Sequence, residues 1–374
     1  MKPFTVPLAT ADIDDLRDRL AKTRWPDRET VDDWSQGIPL EYTQELCRYW
    51  AEEYDFGFAD RINVHPQFRT DVDGLGIHFL HVRSPEAEAL PLVLTHGWPG
   101  SVVEFLKVLG PLTDPRAHGG DPADAFHVVA PSLPGYGWSD KPSATGWNVP
   151  RIARAWDTLM HALGYERYGA QGGDWGAGIT TTMGEQQPDG LVGIHLNMAV
   201  ATPDRDTMSD LTPAEQQALD DLSQHLKTGT GYSTQQSTRP QTLGYGLTDS
   251  PAGQCAWIAE KFWAWTDCDG HPENALSKDE MLDNISLYWF TATAASSARL
   301  YWESFNSSHR SEVPVPSGIS IYPREIVRPS RRWCEKRYTN LRWYEELERG
   351  GHFAAFEQPA SFVEQLRGFF RLVR

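Results

Sequence analysis

The stretch Tyr168-Gly169-Ala170-Gln171-Gly172-Gly173-Asp174-Trp175-Gly176-Ala177-Gly178 decides how this chain reads. A short strand runs into a glycine-rich turn, and a helical stretch follows. Inside it, Gly172-Gly173-Asp174-Trp175-Gly176 has the form small-x-nucleophile-x-small, the spacing of a nucleophile elbow. The central residue of such an elbow is held in a strained turn at the head of a helix. Its neighbours must be small because strand and helix backbones approach closely there. Asp at the centre, in place of Ser, changes the chemistry. A carboxylate attacks a saturated carbon and leaves an alkyl ester on the protein, which water must then hydrolyse with a His as base. The competing reading is a plain glycine-rich turn whose Asp caps the helix.

Outward from this turn the chain alternates. Apolar runs at 92–94, 126–130, 168–170 and 191–198 read as buried strands. A helix opened by Pro150 carries Ile152, Trp156, Leu159 and Leu163 on one side and stops at Gly164. Buried strands alternating with helices predict a parallel sheet whose functional loops lie at the carboxyl ends of the strands. Residues 201–312 break the rhythm and read as a mainly helical insertion, with a capping-box start at Thr212-Pro213-Ala214-Glu215. The alternation resumes at 319–322 and 341–345. It closes on a helix with Phe362, Leu366, Phe369 and Phe370 on its apolar side. The first 88 residues form a distinct segment with helices around Ile13-Leu16-Leu20 and over 39–54. Two strands, 68–72 and 77–83, flank Asp73-Gly74-Leu75-Gly76. The expected division is therefore 1–88, a core in two parts (89–200 and 313–374) and a lid at 201–312.

Composition narrows the function classes. Among 374 residues, 40% are hydrophobic and 23% charged, as in an ordinary globular protein. Lys and Arg number 34 against 51 Asp and Glu, a formal charge of −17, which argues against nucleic acid or an anionic membrane as partner. No apolar run is long enough to span a bilayer, and the first residues lack the pattern of a signal peptide. Cys47, Cys255, Cys268 and Cys334 are scattered and read as reduced thiols of a cytoplasmic protein, with no zinc-ligand spacing.

Two further motifs complete a constellation. His96-Gly97-Trp98-Pro99-Gly100 follows the strand before the elbow. In α/β-hydrolases, backbone N–H groups of this loop and of the residue after the nucleophile form the oxyanion hole, here Trp98 and Trp175. Gly350-Gly351-His352-Phe353 follows the last strand, where the order nucleophile, acid, base requires its base. Glu325, in Tyr322-Pro323-Arg324-Glu325, stands at the end of the preceding strand, where it would orient His352. Alternatively Glu325 is a surface carboxylate paired with Arg324 or Arg328.

Over nearly its whole length the chain resembles the epoxide hydrolases of the α/β-hydrolase superfamily, in their microsomal-type branch. The resemblance is carried by His96-Gly97-Trp98-Pro99-Gly100-Ser101, by Pro131-Ser132-Leu133-Pro134-Gly135-Tyr136-Gly137-Trp138-Ser139-Asp140, by the elbow, and by Gly350-Gly351-His352-Phe353-Ala354-Ala355-Phe356-Glu357. Thr238-Arg239-Pro240-Gln241-Thr242, Asp249-Ser250-Pro251-Ala252-Gly253 and Glu260-Lys261-Phe262 with Trp265-Thr266 are typical of that branch. The resemblance implies an α/β-hydrolase fold, with a mostly parallel central sheet, a helical lid, and an N-terminal segment wrapping core and lid. It implies Asp174 as nucleophile, His352 as base and Glu325 as acid. It also assigns Tyr232 and Tyr301 as phenols that bind the epoxide oxygen, with Tyr245 and Tyr288 as rivals in the same lid. Trp98 and Trp138 are expected to line an apolar pocket for a small apolar or aryl epoxide. No metal or organic cofactor is required. A homodimer and a chain without membrane anchor are the working expectations. Two alternatives stay open: a haloalkane dehalogenase using the same Asp–His chemistry, and a non-catalytic binding protein of this fold.

Overall fold

The computed structural model describes residues 1–305 and 311–374, so residues 306–310, near the end of the expected lid, lie outside it. Among the described residues a single sheet contains β1 (Lys2–Pro3), β2 (Gln67–Val72), β3 (Leu75–Val82), β4 (Leu90–Thr95), β5 (Phe126–Pro131), β6 (Tyr168–Gly172), β7 (Leu191–Leu196), β8 (Ser317–Ile321) and β9 (Leu341–Glu346). Their order is β1-β2-β3-β5-β4-β6-β7-β8-β9. β1, β2 and β3 pair antiparallel down to β5, and every later pairing is parallel.

The antiparallel end is built by a hairpin. Asp73 and Gly74 both take positive φ, 53° and 77°, as a two-residue turn matching the right-handed strand twist requires. Leu75 and Gly76, expected in the turn, belong to β3 instead. The parallel strands β5, β6 and β8 are buried at every residue, which is why they read as apolar runs rather than alternating ones. Helices pack against them. In the helix Val149–Ala162, the Asn148 side chain accepts a hydrogen bond from the Arg151 amide, Pro150 sits in the first turn, and Ile152, Trp156 and Leu159 face the core. The last helix, Pro359–Phe370, buries Phe362, Leu366, Phe369 and Phe370.

The sheet order places two loops side by side. The chain leaves β4 to one side to form β5, then returns to the other side to form β6. β4 and β6 are therefore neighbours at a switch point, and the loops after them lie together beyond their carboxyl ends.

The expected lid is helical: Pro213–Thr228, Gly231–Thr238, Pro240–Asp249, Pro251–Trp265, Lys278–Thr291 and Ala294–Ser304. Both halves of the capping box at Thr212 and Glu215 form. The N-terminal segment packs on this layer. Trp50 Nε1 donates to Ser286 Oγ at 2.9 Å, and the Trp34 and Trp263 rings stack 4.7 Å apart. Asp283 accepts from the Tyr54 hydroxyl at 2.6 Å and from Arg61 Nε at 2.7 Å.

Asp283 is buried, so its loss strands a phenol and a guanidinium. Asp283→Ala is expected to lower unfolding stability by about 2–3 kcal/mol, less than the 3–5 kcal/mol of a fully enclosed pair. Arg61 is 38% exposed and retains Asp55, which is why the smaller figure applies. Urea titration measures it, and an unchanged midpoint would show that the clamp adds nothing.

Candidate active site

Asp174 takes φ 51° and ψ −127°, a strained backbone for any residue but glycine. The helix Trp175–Gln186 begins directly after it, and the Asp174 side chain makes no capping hydrogen bond to that helix. The capping alternative is thus excluded, and the carboxylate points elsewhere. A Cβ at Gly176 would fall on the Thr95 carbonyl oxygen of β4, so the small residue after Trp175 is a steric requirement.

The switch point brings the Trp98 amide to the carboxylate, donating to Asp174 Oδ1 at 2.8 Å. The other oxygen, Oδ2, lies 3.3 Å from His352 Nε2. His352 Nδ1 in turn lies 2.7 Å from Glu325 Oε1. Glu325 and His352 both sit beyond strand ends, after β8 and β9, and both are buried. The His352 amide donates to the Trp265 carbonyl at 2.8 Å, which ties the loop to the lid. Arg324 and Arg328 pair with Asp267 and Asp221, so neither engages Glu325.

Desolvation opposes charging the His352 ring, but Glu325 and Asp174 on its two nitrogens more than offset this. The imidazole is held well above its ordinary range and rests as a cation between two carboxylates. His96, by contrast, is pushed down to about 4 by burial. Its Nδ1 meets the Gly97 carbonyl, and its Nε2 accepts from the Leu133 amide at 3.2 Å. It joins the 96–100 loop to the loop after β5.

An aromatic wall faces the carboxylate. Tyr232 stacks on Trp98 with centroids 5.1 Å apart, and Tyr301 meets Trp175 edge-on at 4.8 Å. The two phenol rings lie 5.8 Å apart at 82°. Burial, then the Asp174 charge, pushes the Tyr232 phenol up; burial, then Tyr232 and Asp174, does the same to Tyr301. Both are protonated donors at neutral pH. The rival tyrosines are placed otherwise: Tyr245 is 70% exposed, and the Tyr288 hydroxyl donates to the Gly100 carbonyl at 2.8 Å.

Trp138 requires a correction. Its ring contacts are Phe4 at 6.1 Å and His78 at 5.2 Å, near the start of the chain, so it packs the antiparallel end rather than joining this wall. Residues that sequence reasoning missed take its place. Trp265 lies 5.1 Å from Tyr232 and 5.0 Å from His352, and Phe305 lies 5.8 Å from Tyr301. Lys261 is buried, with its ammonium 4.6 Å from the Tyr232 ring centroid. Glu260-Lys261-Phe262 and Trp265 had stood out only as a motif; the helix Pro251–Trp265 is what turns Lys261 and Trp265 toward the site.

Comparison with known proteins places the chain in a family. Residues 1–105 match the family described as epoxide hydrolase N terminus, and residues 91–235 match the alpha/beta hydrolase fold. A Stigmatella aurantiaca protein, an epoxide hydrolase by name only, is 56% identical over 374 residues, covering 100% of this chain and 85% of its own length. Epoxide hydrolase 1 of Sus scrofa is 36% identical, covering 100% of this chain and 89% of its own. The chain belongs to the epoxide hydrolase family. The crystal structure of juvenile hormone epoxide hydrolase from the silkworm Bombyx mori superposes with a TM-score of 0.91 at 33% identity, over 100% of this chain and 95% of that one. The Aspergillus niger epoxide hydrolase gives 0.91 at 32%, over 100% and 96%. The α/β-hydrolase fold and the enzyme class follow. No helix among the described residues is long and apolar enough to cross a membrane.

The charge arrangement is testable without substrate. Glu325→Gln should move the His352 imidazole titration, followed by NMR, down toward the ordinary histidine range. An unmoved midpoint would mean that Glu325 does not set the charge of this ring.

Proposed function

We propose that this epoxide hydrolase opens an epoxide by attack of Asp174 and then hydrolyses the resulting ester with water activated by His352. The reading rests on one observation above others: the Asp174 carboxylate, at a strained elbow, is held between the Trp98 amide and the His352 ring. The substrate is a small apolar or aryl epoxide, because aromatic rings face the carboxylate.

In the first step an Asp174 oxygen bonds to the epoxide carbon and the C–O bond breaks, its electron pair passing to the ring oxygen. That oxygen takes a proton from the Tyr232–Tyr301 pair, since an alkoxide leaves poorly unless an acid neutralises it. The phenolate is reprotonated at the expense of the His352 cation. Esterification removes the Asp174 charge, one of the two that hold His352 protonated, so the ring becomes a base at the moment water must be activated.

In the second step neutral His352 takes a proton from water, and the hydroxide adds to the ester carbonyl carbon. The amides of Trp98 and Trp175 receive the oxyanion, a role worth roughly 3–4 kcal/mol per donor in other enzymes. Collapse expels the diol oxygen, which takes the proton from His352. The acid left on Asp174 returns its proton to His352, and the starting state is restored. The phenol pair favours a strained ether oxygen over a halide as leaving atom, so this reading stands above the dehalogenase alternative.

A single turnover in heavy-oxygen water should label the Asp174 carboxylate, read by peptide mass; label in the diol alone would exclude the ester. His352→Gln should form the ester but slow diol release by about 10²–10⁴-fold, leaving an adduct of epoxide mass on the protein. If that variant forms no ester at saturating styrene oxide, the division of roles is wrong.

A further inference from the structure

Beside the carboxylate lies a small cavity of about 20 Å³, lined by Gly97, Glu104, Asp174, Asn197, His352 and Phe353 among others. Its lining mixes apolar groups with the polar side chains of Glu104, Gln171, Asp174, Asn197 and His352, and a cavity of this size with such partners holds one water molecule. The two-step mechanism uses Asp174 and His352 but not the remaining carboxyl group of the lining, Glu104.

Glu104 is built into its place. It lies on the short turn Val102–Phe105, whose start is capped by Ser101, with Ser101 Oγ accepting from the Val103 amide at 3.2 Å. The lid pins that turn. Ser101 Oγ donates to Asn284 Oδ1 at 2.7 Å, Asn284 Nδ2 donates to the Pro99 carbonyl at 2.7 Å, and Tyr288 donates to the Gly100 carbonyl. The carboxyl folds back over Gly100 so closely that a Cβ there would fall on Glu104 Oε1. These contacts hold the turn that carries Glu104 against the cavity, where the side chain is part-buried.

We propose that this cavity seats the hydrolytic water and that Glu104 positions it against His352. The water has four valences to satisfy. One O–H goes to His352 Nε2 and one lone pair to the ester carbon, and the second O–H needs an acceptor, which Glu104 offers. The proposal rests on the reading of an Asp174 ester.

The charges around Glu104 suit the role. The ionisable groups facing it are His352, Asp174, Glu357 and, from the lid, Tyr288. Burial pushes its pKa up to about 8; the His352 cation opposes this, and Asp174 and Glu357 add to it. At neutral pH the carboxyl is therefore uncharged and adds no third anion beside the forming oxyanion, yet its carbonyl oxygen still accepts a hydrogen bond. Esterification of Asp174 removes one of the charges that raise this pKa. The His352 cation, the stronger of the two influences and the one that lowers it, is lost in the same step, so Glu104 then ionises at or above its resting value, and hydrolysis should slow as pH rises through that value.

Rapid-quench measurement with styrene oxide separates ester formation from ester hydrolysis in the parent chain, Glu104→Leu and Glu104→Gln. Glu104→Leu should form ester at nearly the parent rate and hydrolyse it about 100-fold more slowly, the size of loss that misplacing a reactant brings. Glu104→Gln keeps an acceptor oxygen and should recover most of that loss, but without the decline of hydrolysis that the parent shows as pH rises. Equal slowing of both steps in Glu104→Leu, or hydrolysis at the parent rate, overturns the proposal. If Glu104→Leu does not fold, Glu104→Gln decides: a pH profile identical to the parent's overturns it. A parent chain that forms no ester overturns the underlying reading and this one together, whereas normal ester formation with unimpaired hydrolysis in Glu104→Leu removes only the water seat.

Discussion

Everything at this site depends on a buried imidazole shared between two carboxylates. Removing three ionisable groups from water is costly unless each finds its partner. Here Glu325 takes one ring nitrogen and Asp174 the other, at 2.7 and 3.3 Å. The pairing makes the resting state tolerable and also makes it responsive. In the proposed mechanism, neutralising Asp174 removes one of the two charges that hold the ring protonated, which would free the base after the carboxylate has reacted.

The rest of the molecule holds these groups in register. Glu325 and His352 extend from the ends of two adjacent parallel strands, β8 and β9, which fixes their separation. Asp174 follows β6, and the reversal of strand order sets the loop after β4 beside it, so that a backbone amide meets the carboxylate. The elbow around Asp174 is tightly packed: a Cβ at Gly172 would meet the Gly176 carbonyl, and one at Gly176 the Thr95 carbonyl of β4. The lid contributes the phenols and the aromatic wall, and the N-terminal segment braces the lid through Trp50, Tyr54 and Arg61.

The family match is consistent with this division of labour. One match covers the N-terminal brace together with the loop after β4, and the other covers the core through the elbow into the lid. Agreement in fold with the silkworm and Aspergillus niger enzymes extends over the whole chain. The brace and the lid are thus part of the shared architecture rather than additions to a hydrolase core.

Much of this was legible in the residues alone. The apolar runs, the Asp-Gly hairpin, the capping box at Thr212 and the elbow are local signals, written in backbone preference and short-range hydrogen bonding. The order Asp174, Glu325, His352 could be read because strand ends present their loops in a fixed sequence. What stayed hidden depended on packing at long range. Trp138 stands in a family motif yet turns to Phe4 and His78, while Trp265, Phe305 and Lys261 reach the site from lid helices. Glu104 looked like one more charged residue in an acidic chain. Periodicity tells which face of a helix is apolar, but not which neighbour that face will meet. Only the closing of the lid over the switch point decided that, because side chains from distant segments find their partners when the core expels water between them.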